Sequence, residues 1–175
     1  DVQGESFDYP EEFLRRRVHH LVRRAPTPAE VARAAALVAG KTRPLVICGG
    51  GVRYSGAERA LEGFCAAFNV PFAETQAGKG ALPWDNPWNL GGLGVTGTRA
   101  ANGMAREADL VIGIGTRLGD FTTASKWLFQ NPTVEFLAVN VNSVDAHKMG
   151  ALPVVADAQA ALTALTKALT KAGYR

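Results

Sequence analysis

Three glycine-bearing turns hold the residues of this chain best placed for chemistry: Gly49-Gly50-Gly51, Gly78-Lys79-Gly80, and Gly115-Thr-Arg117-Leu-Gly-Asp120. Each follows an apolar run, the position where a strand ends. Backbone N–H groups in such turns, and at the helix starts behind them, can hold a pyrophosphate. Arg117 can pair with that group and Asp120 can accept a ribose hydroxyl. Asn140 and Asn142, in Val139-Asn-Val-Asn142, follow a further apolar run and offer neutral amides to a ribose. Lys79 is a cation inside a glycine-rich loop, where its ammonium meets a ligand phosphate or an acidic partner, caps a helix, or contacts another domain. The pattern suits a nucleotide. It equally suits turns that serve only to start helices in an α/β fold. A dinucleotide fingerprint is not complete, because Gly49-Gly-Gly-Val-Arg-Tyr54 carries tyrosine where G-x-G-x-x-G needs its last glycine.

Other chemistries find less support. His19, His20 and His147 have no metal-ligand spacing to Cys, Asp or Glu. There is no P-loop and no G-x-S-x-G elbow. Ser125 and Ser143 have no base nearby in sequence, and Glu135 and Asp145 are not marked as an acid pair. Cys48 and Cys65 lie in apolar patterns without a C-x-x-C spacing, which reads as reduced thiols in a cytoplasmic protein. The net charge of +3 is scattered. Asp1, Glu5, Asp8, Glu11 and Glu12 offset Arg15, Arg16, Arg17, Arg23 and Arg24, so the first stretch reads as a solvated or interdomain linker and not as a nucleic-acid surface. No apolar run approaches a membrane span, and no partner membrane is expected. The start at Asp1, without a signal-peptide pattern, reads as that of an excised domain.

The elements that must position the glycine turns alternate between strand and helix. Thr27-Pro-Ala-Glu30 is a capping box with proline at the first helical position, and Val31, Ala34, Ala35 and Val38 recur at helical spacing as far as Gly40. Leu45-Val-Ile-Cys48 reads as a strand covered on both faces. Ser55-Gly-Ala-Glu58 reads as a second capping box, opening a helix with Leu61, Phe64 and Phe68 on one face and a stop near Asn69. Further strands are expected at Val70–Glu74, Leu110–Ile114, Glu135–Val141 and Val154–Ala156. Further helices are expected at Thr98–Ala108 and Thr122–Gln130, with a last one capped by Asp157 and ended by Gly173. With 175 residues and 47% apolar composition, one domain with a real core is expected. The fold class is α/β, a Rossmann-like parallel sheet of five to six strands with helices on both faces. The sequence leaves open whether Trp84 and Trp88 contact the substrate, a partner subunit or only the core, with burial the default for tryptophan.

The order Gly49–Gly51, Glu74-Thr-Gln-Ala-Gly-Lys-Gly80, Asn89-Leu-Gly-Gly-Leu-Gly-Val-Thr-Gly-Thr98, Glu107-Ala-Asp109 and Gly115-Thr-Arg117 resembles the central domain of thiamine-diphosphate-dependent enzymes of the acetohydroxyacid synthase and pyruvate oxidase type. Residues 1–26 then correspond to the interdomain linker and the end of a preceding domain, and residues 27–175 to the central domain. Asp8-Tyr-Pro10, Cys48-Gly-Gly-Gly-Val-Arg-Tyr-Ser55 and Asp120-Phe-Thr-Thr-Ala-Ser-Lys-Trp127 look most like the branch acting in inositol catabolism, which opens the ring of a cyclic diketone to give 5-deoxy-glucuronate.

The resemblance implies a division of labour. In the family, thiamine diphosphate and Mg²⁺ are held by a G-D-G motif with a downstream Asn pair in another domain, and a glutamate in a third activates the pyrimidine. This chain has no Gly-Asp-Gly; Gly119-Asp120 is followed by Phe121. The isolated chain is therefore expected to bind no thiamine diphosphate and to be inactive. Its partners would be the pyrimidine- and diphosphate-binding domains of the same polypeptide, in a homo-oligomeric parent. In FAD-using relatives the segment after the third strand resembles R-F-D-D-R. Here it reads Arg117-Leu-Gly-Asp-Phe121, and amides stand in Val139-Asn-Val-Asn142, so constitutive FAD is not expected. A stand-alone module binding FAD, ADP or NAD through Gly50, Arg117 and Asn142 is one alternative, and the central domain of another family member such as an acetohydroxyacid synthase is the other.

Overall fold

A computed structural model describes residues 2–175; Asp1, read above as part of the linker, lies outside them. A one-turn helix, α1 (Glu11–Leu14), comes first among the α-helices. The first long helix, α2 (Pro28–Ala39), starts as its capping box dictates: Thr27 Oγ1 accepts from the Glu30 N–H at 3.2 Å, and Glu30 Oε2 accepts from the Thr27 N–H at 2.7 Å. Then come β1 (Pro44–Cys48), α3 (Gly50–Ser55), α4 (Glu58–Phe68), β2 (Phe72–Glu74), β3 (Asn89–Gly92) and α5 (Arg99–Glu107). The remainder runs β4 (Leu110–Ile114), α6 (Asp120–Thr123), β5 (Glu135–Asn140), α7 (Ser143–Ala146), β6 (Leu152–Val155) and α8 (Ala158–Lys171).

All six strands pair in parallel in the order β3-β2-β1-β4-β5-β6. Every residue of β1 and β4 is buried, as central parallel strands covered on both faces require. Alternation then sorts their side chains into two layers. Val46 and Cys48 of β1 join Leu110, Ile112 and Ile114 of β4 under α2, α4 and α8, around Phe64 and Phe72. Leu45, Ile47 and Val111 face the opposite way, under α5 and the segment after β4, where Leu118 and Leu128 are buried. Cys48 and Cys65 are free thiols within the first layer; burial, then the nearby carboxylates of Glu74 and Glu62 among other charges, pushes both up to about 12. They are packing residues, inert at ordinary pH.

The structure departs from the sequence expectations at four places. The edge strand β3 was not expected. Ser55 does not cap α4: it is the last residue of α3, Gly56 turns left-handed after it at φ +69°, and Ala57 precedes α4 without a side-chain cap. The helix expected over Thr122–Gln130 is one turn ending at Thr123, since Ala124, Ser125 and Lys126 all take positive φ. That turn drives Leu128 into the second layer and sets Phe129 edge-on to Phe136, 5.1 Å between centroids. Trp84 is 87% exposed, whereas Trp88 packs partly against the core and donates its Nε1–H to Asn69 Oδ1 at 3.2 Å.

Candidate functional site

In a sheet of this order the winding direction reverses between β1 and β4, and the loops beyond their carboxyl ends diverge there into a crevice. A crevice of about 760 Å³ occupies that place, a size that accommodates a nucleotide-scale ligand. Its floor is backbone. The Gly49 N–H donates to Ile114 O at 2.9 Å, the Gly51 N–H to Gly115 O at 3.0 Å, and the Gly115 N–H to Val139 O at 2.8 Å. Gly115 sits at φ +60°, and a Cβ there would lie 2.5 Å from Gly51 Cα, so both loops depend on glycine to touch. The triple glycine therefore has a packing duty that uses the N–H groups of Gly49 and Gly51 inside the protein.

The sequence-derived candidates separate in space. Gly50, Gly51, Gly115, Arg117, Asp120 and Asn140 line the crevice. Gly49, Gly78, Lys79 and Asn142 do not. Gly78 is buried where a Cβ would meet Cys48 O at 2.1 Å, so it brings the loop after β2 against the end of β1. Lys79 is exposed outside the crevice. Asn142 caps α7, its Oδ1 accepting from the Val144 N–H at 2.9 Å. Asn140, at the end of β5, is buried and spent on backbone: its Nδ2 donates to Thr116 O at 3.0 Å and its Oδ1 accepts from the Asn142 N–H at 2.9 Å. Its amide therefore holds the loop after β4 in place. Arg117 and Asp120 remain as exposed charged groups at the rim.

Other lining residues were not singled out from sequence. Tyr54 on α3 and Phe121 on α6 present aromatic faces at the mouth, and Val141 extends the same apolar rim, all three exposed. Thr75 and Gln76 follow β2, and the rule that ligands sit beyond strand carboxyl ends points to them directly. Asp157, after β6, is buried at the crevice wall. Its Oδ1 accepts from Ser55 Oγ at 2.8 Å and from the N–H groups of Gln159 and Ala160, and its Oδ2 accepts from Arg23 Nη1 at 2.9 Å. Burial alone would raise this carboxyl. The hydrogen bonds from Arg23, Ser55 and Ala160, with the charge of Arg23, outweigh it and hold Asp157 below the usual carboxylate range. Among the described residues no three His, Cys, Asp or Glu side chains gather as metal ligands do.

The arrangement can hold a flat or amphipathic group between apolar rim and backbone floor, with one arginine for an anion. It shows no nucleophile–base pair. Comparison with known proteins places this geometry. Over residues 31–165 the chain matches the family described as thiamine pyrophosphate enzyme, central domain. It is 54% identical over 175 residues to a 3D-(3,5/4)-trihydroxycyclohexane-1,2-dione hydrolase of Bacillus cereus (strain AH820), and 52% identical over 174 residues to one of Clostridium tetani (strain Massachusetts / E88). All or nearly all of this chain is covered, but only 27% of each relative. Sheet order, crevice position and this match agree: the chain belongs to the thiamine pyrophosphate enzyme central-domain family.

Proposed function

We propose that this chain is the non-catalytic central domain of a thiamine-diphosphate-dependent hydrolase that opens the ring of 3D-(3,5/4)-trihydroxycyclohexane-1,2-dione. The observation that carries the reading is whole-chain identity of 54% to a relative of that name, over only 27% of the relative's length. The rest of the machinery then lies in other domains of the same polypeptide. When bound in the parent, thiamine diphosphate supplies the carbon nucleophile. The residues here do not fit that group. A diphosphate with Mg²⁺ calls for clustered oxygen ligands, and the crevice offers only Asp157, already engaged by Arg23 and Ser55, with Asp120 and Asp145. What this chain contributes is a rigid sheet between catalytic domains and a surface for sister subunits in a homo-oligomer of the cytoplasm. No helix of the described residues is long and apolar enough to cross a membrane.

The test is a chimera. The corresponding segment of the Bacillus cereus relative is replaced by this chain, and ring opening is followed with thiamine diphosphate and Mg²⁺ present. Ring opening within about tenfold of the relative's own rate is expected, while the 175-residue chain alone shows neither activity nor calorimetric binding of thiamine diphosphate. A folded but inactive chimera would overturn the assignment to this hydrolase.

The crevice at the β1/β4 reversal favours a second reading, a nucleotide-binding module that uses Gly50, Arg117 and the apolar rim. Asn142, capping α7, drops out of that set. Titration calorimetry with ADP, NAD and FAD separates the two. Micromolar binding of any one favours the module, and no heat with all three favours the structural domain.

A further inference from the structure

Residues 2–22 make no hydrogen bond to residues 27–175 among the described residues, and Phe7, Tyr9, Phe13, Leu14 and Val18 are all exposed along them. Attachment begins abruptly at the next two residues. Arg23 Nη1 donates to Asp157 Oδ2 at 2.9 Å, and the Asp157 N–H donates to Arg24 O at 2.8 Å. The acceptor is a buried, pre-oriented carboxylate whose other oxygen is fixed by Ser55 and the first N–H groups of α8. Asp157 is thus both the cap of α8 and the anchor of the N-terminal segment. Just before the anchor, Leu21 and Val22 line the crevice while remaining 79% and 90% exposed. They flank its mouth without filling it.

We propose that residues 18–24 form a strap, latched by Arg23 on Asp157, that serves as a movable wall of the crevice between the β1 and β4 loops. The Arg23 side chain is 48% exposed against 6% for Asp157, so water reaches the latch from the arginine side only, and two bonds have to part for the strap to leave. Asp157 keeps its bonds from Ser55, Gln159 and Ala160 when Arg23 parts from it, so α8 stays capped as the strap leaves.

The segment carries its own control for limited trypsin digestion of the 175-residue chain. Arg15, Arg16 and Arg17 lie before the latch, and Arg23 and Arg24 lie at it. Cleavage after Arg17 is expected to be about tenfold faster than after Arg24, since proteolysis follows the open population. Asp157→Asn keeps a capping oxygen for α8 but loses the charge facing Arg23, and should speed the Arg24 cut several-fold toward the Arg17 rate, the Asp157 N–H to Arg24 O bond remaining. Arg23→Gln removes the donor without touching the cap, and should do the same. For the wall, a Thr116→Cys thiol in the crevice should react with a disulfide reagent several-fold faster when paired with Arg23→Gln, against a silent background of buried Cys48 and Cys65. Equal cutting at Arg17 and Arg24 in the parent chain, or no change at Arg24 in Arg23→Gln, would overturn the latch. A Thr116→Cys thiol that reacts at the same rate with and without Arg23→Gln would overturn the wall.

Discussion

The two ends of the central strand pair are closed in opposite ways. At the amino-terminal end a single carboxylate, Asp109, accepts from the Thr42 N–H at 2.8 Å, Thr42 Oγ1 at 2.9 Å and the Arg43 N–H at 2.8 Å, stitching the loop before β1 to the start of β4. Its own backbone adds bonds to Arg43 O and from the Glu135 N–H, and Lys41 pairs with Glu135 beside it. At the carboxyl end no side chain among the described residues hydrogen-bonds β1 to β4. Bare backbone does it, Gly49 to Ile114 and Gly51 to Gly115, and beyond those contacts the loops part into the crevice. One end is sealed by a side chain that any loop of ordinary residues could surround. The other depends on having no side chains at all, which leaves the space beyond it open.

The sharpest break of this contrast is Gly115→Val. A β-branched residue would have to hold φ +60° with its Cβ 2.5 Å from Gly51 Cα, combining backbone strain with overpacking. The expected loss is about 3 kcal/mol or more, read as a lowered urea midpoint. A loss under about 1 kcal/mol would mean that the loops separate without cost, against the backbone-closure picture.

Next comes the sealed end. Asp109→Ala leaves the Thr42 and Arg43 N–H groups without their acceptor, an effect on the order of 2 kcal/mol for partly solvated bonds to a charged group. If instead its stability matches the parent chain, water replaces the carboxylate freely and the two ends do not differ in kind.

These two ends were unequally legible in the sequence. Strands β1 and β4 announced themselves as continuous apolar runs, and a capping box placed α2 as the Asp157 cap placed α8, each with a Gly stop. The edge strand β3 did not, because Asn89-Leu-Gly-Gly92 has neither alternation nor β-branching and exists as a strand only through pairing with β2. Ser55-Gly-Ala-Glu58 fitted a capping pattern, yet its serine serves a different helix, donating to Asp157 and accepting from the Gln159 N–H at 2.9 Å. Local spacing carries no information about a partner 102 residues away. The glycines of the crevice were visible as types, but whether their N–H groups faced a ligand or another glycine loop depended on how β1 and β4 come together. The apolar rim was hidden for the same reason, since Tyr54, Phe121 and Val141 lie far apart in sequence and meet only at the sheet's open end.

A smaller effect separates the ends by pH. Asp109 and Asp157 are held below the usual range despite burial, which opposes it, by hydrogen bonds from Thr42 and Arg43 in one case and from Arg23 and Ser55 in the other. Glu30 is lowered chiefly by the Thr27 N–H. A carboxyl depressed in the folded state stabilises fully above its unfolded pKa, and loses that contribution as pH falls through the folded value. Stability is therefore expected to be level with pH down to about 4.5 and to fall below it. Asp109→Asn should flatten part of that fall at the sealed end, and Asp157→Asn part of it at the open end. A decline already present near pH 6 would point to other groups.

The smallest effect on folding belongs to the rim. Tyr54 is 82% exposed and Phe121 is 50% exposed, so each already leaves much of its surface in water, and removing them returns little. Tyr54→Ser with Phe121→Ser is expected to shift stability by less than about 0.5 kcal/mol, in contrast to the glycines of the crevice floor. Aromatic surface held in water at the mouth of a preformed crevice gains free energy only when something covers it. The double variant should consequently fold like the parent chain, with its melting midpoint unchanged within about a degree. A double variant that melts several degrees lower as an isolated chain would show that the rim supports the fold, and that the open end is closed more firmly than its backbone contacts suggest.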